Sequence, residues 1–145
     1  KGFCSLNINK YMMNREVGFG RKVLQILEEE CIPFEHMPSG IDDISIILRK
    51  SELDDEKKSR IMERIAKELN VDSVSFEYDL GLVMVVGEGM KRTVGITHRI
   101  AKALARNDVN IRMINQGSSE VSTMFGVSED DVDKAIVSIY DEFFR

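Results

Sequence analysis

Cysteine, proline, histidine and tryptophan are all scarce in this chain, and each scarcity removes a class of protein. Its 145 residues include two cysteines, two prolines, two histidines and no tryptophan. Cys4 and Cys31 form no CxxC pair and the histidines do not cluster, so neither a disulfide framework nor a metal centre has its ligands. Both cysteines read as small core residues. Pro33 and Pro38 share one short stretch, and no Pro/Gly/Ser-rich linker divides the chain, so any two units abut closely. The longest apolar run, 82–86, is far short of the ~20 residues of a membrane helix, and no basic-plus-apolar segment opens the chain. A cytoplasmic protein without a membrane partner is expected. Surplus positive charge is missing too: 20 basic against 25 acidic residues give a net charge of −5, which disfavours a nucleic-acid partner.

With 43% hydrophobic and 31% charged residues, the composition is that of a globular domain with a real core. A repeat organises it. Val17-Gly18 recurs as Val94-Gly95, and from these two points the apolar positions run in parallel without a gap: Phe19 with Ile96, Val23 with Ile100, Leu27 with Leu104, Gly40 with Gly117, Ser45 with Ser122.

Within each repeat the period changes in the same order. Residues 2–12 alternate as a strand does. Phe19, Val23, Ile26, Leu27 and Cys31 then share one helical face. Residues 34–37 read as a short strand, the Pro38-Ser39-Gly40 cluster as a turn and 44–48 as a β-branched strand, which together predict a hairpin. A helix over 54–69 and a strand over 74–78 complete β-α-β-β-α-β, the ferredoxin-like arrangement. The second unit repeats it with strands over 81–87, 111–115 and 121–127. Its last helix is predicted to be capped by Ser128 and to bury Val132, Ala135, Ile136, Ile139, Tyr140 and Phe143. The expected fold is therefore α+β: two modules, 1–79 and 80–145, each an antiparallel sheet with two helices on one face. The second is one strand short, and that strand is expected before residue 1 of a longer parent.

Few residues offer catalysis. His98 reads as a polar-face helix residue and His36 as a hairpin histidine beside Glu35; neither has a nucleophile partner. No phosphate-binding GxxxxGK[ST] loop is present. What remains are the loops 13–20 and 88–95. Gly18 and Gly20 bracket Phe19 at a helix start, where unpaired N–H groups and the dipole favour a small carboxylate. The same glycines would equally serve only to shape a tight turn. Phe34, Glu35, His36 and Met37, followed by Ser39, Asp42 and Asp43, are expected opposite this helix start, and the carboxylates among them would accept an ammonium group; Asp42 and Asp43 read equally well as turn residues.

Three segments carry a resemblance: NKYMMNREVGFGRKVLQIL over 9–27, EHMPSGIDDISII over 35–47 and IRMINQGSSEVSTMFGV over 111–127. Across essentially the whole chain the sequence resembles the C-terminal regulatory region of bacterial aspartate kinases, which is built of two ACT modules. The resemblance implies an amino-acid effector site on Met13, Asn14, Glu16, Val17, Gly18, Phe19 and Gly20 together with Phe34, Glu35, His36, Ser39 and Asp42. Glu35 falls where the family turns an acidic or amide group toward the effector's side chain. Asn115 and Gln116 are implied to be interface or accessory residues. Glu16-Val17-Gly18-Phe19 departs from the Pro-Gly of many ACT modules. The family phosphorylates the β-carboxylate of aspartate with ATP. ATP and magnesium would belong to a kinase portion outside these residues, so no catalytic residue or cofactor is expected here.

The leading expectation is thus an allosteric sensor of lysine, or of threonine, acting as a homodimer through its ACT modules on the kinase domain of its own parent chain. Lysine is favoured because Glu35 suits a second positive charge. A purely structural dimerisation module is the alternative, and a small phosphatase of the same fold lacks a recognisable phosphate cradle.

Overall fold

Inward Cys4, Leu6 and Ile8 alternating with Phe3, Ser5 and Asn7 make Phe3–Asn9 the first strand, β1. The computed structural model describes residues 1–145 and divides them into Gly2–Tyr78 and a second unit of Asp79–Arg145 with Lys1. In the first unit β1 is followed by helix α1 (Phe19–Glu29), strand β2 (Asp43–Arg49), helix α2 (Asp55–Leu69) and the first part of strand β3 (Ser73–Val86). The strand order is β2-β1-β3, and β1 pairs antiparallel with β2 from Phe3 opposite Arg49 to Asn9 opposite Asp43.

This register sets Cys4, Leu6 and Ile8 against Leu48, Ile46 and Ile44, all buried. Phe19, Val23, Ile26 and Leu27 of α1 close the core with Ile61, Ile65 and Leu69 of α2. Each such side chain contributes about 1.5–3 kcal/mol by leaving water. The opposite sheet face is polar, with the Ser5 and Ser45 hydroxyls both donating to Asn7 Oδ1, at 2.6 and 2.9 Å. Asp54 starts α2 by accepting the Lys57 amide at 2.7 Å.

In the second unit residues 80–86 of β3 lead to helix α3 (Ile96–Arg106), strands β4 (Met113–Gln116) and β5 (Ser122–Ser128) and helix α4 (Val132–Phe144). The order is β3-β5-β4, antiparallel throughout. Its core gathers Val83, Phe125 and Val127 from the sheet, Ile100 and Leu104 from α3, and Ala135 and Ile139 from α4.

The repeat is visible bond by bond. Both first helices start at a left-handed glycine, Gly18 at φ 79° and Gly95 at φ 88°. Both end at a left-handed non-glycine residue, Cys31 at φ 56° and Asp108 at φ 51°. The amides of Ile32 and Val109 then return to the carbonyls of Leu27 and Leu104 at 2.9 and 3.0 Å, the bond that closes a helix C-terminus.

Beyond the first helix the equivalence shifts. Ile8 faces Ile44. In the ungapped repeat the counterpart of Ile8 is Val85 and that of Ile44 is Val121, yet Val85 faces Thr123. The second hairpin is therefore longer than the first by the step from Val121 to Thr123, and the match of Ser45 with Ser122 does not hold in space. Further expectations are corrected as well. Residues 34–37 form no strand: only isolated bridges join His36 to Ile47 and Ser39 to Ile44, because Pro38 has no N–H to donate to a ladder. The two strands expected at 74–78 and 81–87 are one, β3, running through Asp79 at φ 58°. Ser128 makes no side-chain cap; a short 3-10 turn over Glu129–Asp131 precedes α4. Ile136 and Tyr140 lie at the margin of the α4 stripe and are exposed.

Thr123 sits where the first unit has Ile44, fully buried, with its hydroxyl bonded to nothing. Replacing Thr123 by valine removes that orphan and is expected to stabilise the second unit by about 1 kcal/mol. A denaturant midpoint that falls instead would show that the hydroxyl has a partner.

Candidate functional site

The loop joining β1 to α1 is woven into the turn before β2. The Lys10 amide donates to the Asp42 carbonyl at 2.8 Å, the Met12 amide to Asp42 Oδ1 at 2.7 Å and the Asn14 amide to the Ile41 carbonyl at 3.1 Å. Tyr11 is held by Asp72, whose Oδ2 accepts its amide at 2.6 Å. Met12 is left-handed and Met13–Arg15 form a 3-10 turn, which carries the chain to Gly18. Only glycine takes the φ of 79° found there without strain, so Gly18 fixes where α1 begins. The Phe19 amide turns back to the Glu16 carbonyl at 3.3 Å. The next helix-start amides, of Gly20 and Arg21, make no hydrogen bond to the backbone before them, as is usual in a first helical turn.

Side chains divide along this loop. Met13 and Phe19 are buried in the core and form its floor, while Val17 is 95% exposed at its rim. The carboxylate of Asp42 is used in holding Met12, which makes it a loop-shaping residue. Glu16 pairs with Lys22 at 2.9 Å and with Lys10, and hydrogen bonds from these two lysines hold its carboxyl below the usual range.

Phe34, Glu35 and His36 are not opposite the helix start. Glu35 and His36 pair with Ile47, whose neighbour across β1 is Ser5, so they lie toward the far end of the strand from the loop. The stretch from Ser5 to Lys10 intervenes, roughly 17 Å at about 3.3 Å for each step. There Glu35 accepts from Arg49 Nε at 2.6 Å, and Arg49 lies 5.3 Å from the Phe3 ring centre. Phe34 is half exposed. His36 Nε2 is buried without a partner, and burial lowers its pKa, so the ring is neutral near pH 7. Asn115 and Gln116 stand on β4 of the second unit, opposite Met124 and Thr123.

The sequence pointed to Met37 but not to Lys10, Lys22 or Leu24. Lys10 and Lys22 bind Glu16; Leu24 and Met37 line a groove along the outer face of α1 with Gly20, Gln25 and Glu28. Only the spacing of Gly20, Leu24 and Glu28 on one helical face hinted at it.

Two units of this kind, each with a glycine-started helix and antiparallel strands, define a tandem of ferredoxin-like modules. The ACT-domain family model matches residues 83–143. Aspartokinase 3 of Bacillus subtilis is 56% identical over 143 residues, which is 99% of this chain and 32% of that protein. The crystal structure of Clostridium acetobutylicum aspartate kinase superposes with a TM-score of 0.93 at 45% identity, covering 97% of this chain and 32% of that one. E. coli aspartokinase III, in complex with lysine and aspartate, shares the fold with a TM-score of 0.76 at 22% identity, over 99% of this chain and 31% of that one. The chain belongs to the regulatory ACT regions of aspartate kinases. It spans about a third of the length of these relatives, and none of its helices is long and apolar enough to cross a membrane.

Proposed function

We propose that this chain is the amino-acid sensor of an aspartate kinase. Its first unit binds lysine in preference to threonine, and each site is completed by a second copy. The separation of Glu35 from the helix-start loop carries this reading. The loop supplies amides for a carboxylate, yet the one half-exposed acidic group suited to an ammonium lies at the opposite end of the strand. Two-fold pairing along the α1 groove and the open edge at His36–Ser39 would run the two edges antiparallel. It brings the Glu35 of one copy to the loop of the other. The exposed Glu35–Arg49 pair is worth at most about 1 kcal/mol, and a carboxylate has lone pairs for a second donor. A lysine ammonium can therefore share it. The lysine complex of E. coli aspartokinase III supports the choice of effector.

The parent enzyme, in this reading, moves the γ-phosphoryl group of ATP to aspartate with ATP and magnesium held outside these residues. The sensor carries no catalytic group. Lysine inhibits by binding one arrangement of the dimer better than another, and shifts the balance by that difference and no more.

Complementation between two disabled variants tests the shared site. Glu35→Gln and Gly18→Val are each expected to weaken lysine binding strongly in calorimetry, to below detection at the concentrations at which the unaltered chain saturates. Mixed and re-annealed in equal amounts, they form heterodimers with one intact site, restoring about a quarter of all sites. Leu24→Glu, in the centre of the groove, is expected to give monomers in sedimentation and to lose binding. Full binding by monomeric Leu24→Glu refutes the shared site. A stable dimer that binds neither lysine nor threonine refutes the sensor and leaves a structural module.

A further inference from the structure

The Lys10 side chain joins three parts of the first loop's frame. Its Nζ donates to the Leu69 carbonyl at 2.6 Å, pairs with Glu16 and lies 5.3 Å from the centre of the Phe19 ring. Leu69 ends α2, where carbonyls carry the negative end of the helix dipole. The second oxygen of Glu16 accepts from Lys22, in the first turns of α1. A continuous chain of contacts thus runs from the end of α2 through Lys10 and Glu16 to the start of α1. The Lys10 side chain is only 17% exposed, so it is held in place as an ordered part of the loop.

The second unit is an internal control for what this cluster does. There the same backbone turn forms, with the Met90 amide on the Gly87 carbonyl at 3.0 Å and the Thr93 amide on Met90 at 3.1 Å. Their counterparts are Met13 on Lys10 and Glu16 on Met13, both at 3.0 Å. Yet Gly87 stands in the place of Lys10 and Thr93 in that of Glu16. Arg99, in the place of Lys22, turns away to Glu142 at 3.0 Å. The turn and the glycine-started helix therefore need no lysine–glutamate–lysine cluster in order to fold. Two cations against one carboxylate also give the cluster a net charge of +1 at the start of α1, adding to the field that an effector carboxylate would meet.

We infer that Lys10 is the positioning residue of the effector loop. Through Glu16 it fixes the start of α1, and with Lys22 it supplies the net positive charge that draws a carboxylate there. The inference rests on the sensor reading above and deepens it.

The test is a double-mutant cycle on the whole chain with Lys10→Met, Glu16→Gln and both together. Lysine binding is followed by calorimetry and amide exchange by NMR. Lys10→Met is expected to weaken lysine binding at least about tenfold. The double variant should bind about as the weaker single variant does, because the two residues act as one unit. In the absence of lysine, exchange should quicken at residues 16–21 while Val23–Leu27 stay protected. Unchanged affinity in Lys10→Met overturns the inference. So does additive loss with faster exchange along the whole of α1, which would mark plain destabilisation. If the unaltered chain binds neither lysine nor threonine, the sensor reading fails and the positioning role falls with it. If the unaltered chain binds and Lys10→Met binds equally well, only the positioning role falls.

Discussion

Truncating Phe125 to alanine is expected to cost the second unit about 3–5 kcal/mol. The ring is the largest fully buried side chain in the chain, and it stands on the central strand of the β3-β5-β4 sheet. Val83 faces it across the strand pair, and Ile100, Leu104 and Ile139 share its core. These neighbours are apolar, so the loss combines the transfer of the ring with an unfilled cavity. A loss of this size is a large part of the stability of so small a unit. Most of Asp79–Arg145 should unfold near physiological temperature. Amide exchange read separately in the two units is the suitable measurement, since a two-unit chain need not melt in one step. A loss under about 1 kcal/mol would mean that the core is not centred where the structure puts it.

Gly18→Val should act on binding and not on packing. A Cβ at Gly18 meets nothing closer than Arg21 Nε at 4.0 Å, so no clash resists the new side chain. The backbone resists it, because φ of 79° costs a β-branched residue at least about 1–2 kcal/mol. The strain is relieved by moving the first turn of α1, which displaces the amides of Gly20 and Arg21. Binding of any amino-acid effector is expected to fall about a hundredfold. Gly95→Val supplies the matched control. It imposes the same strain at φ 88° on the second unit and should leave lysine affinity unchanged. Equal loss in both variants would assign the effect to stability alone.

Much of this is legible in the sequence alone. Both first helices and the repeat follow from local rules: apolar spacing, and a glycine where the backbone must turn left-handed. The failures share a cause of another kind. Residues 34–37 have strand composition, but Pro33 and Pro38 leave too few donors for a ladder, and ladder formation is settled only against the partner strand. Asp79 reads as a break and is instead a left-handed residue within one strand. For the site, the sequence shows that Glu35 is near the hairpin but not at which end, since register depends on pairing with Ile47. The extra length of the second hairpin is likewise hidden from an ungapped comparison, because it changes strand partners and not the apolar pattern. Lys10 gives no local sign of its role, which lies in contacts with Leu69 and Phe19, both distant from it along the chain.

The paired loops at Gly18 and Gly95 show the same backbone dressed in two ways. A duplicated turn that folds without its charged side chains is a socket whose fittings are interchangeable. The fold forms the turn and the helix start whichever residues surround them, and the charged side chains set only how firmly that start is held, so selection can alter them without risk to the scaffold. On the sensor reading proposed above, a shift in which amino acid is bound would then require exchanges around position 35, while those around 10, 16 and 22 would set how strongly any amino acid is held, with no remodelling of the strands. Sensors for different end products can in this way diverge from one copied framework while their cores remain nearly superposable.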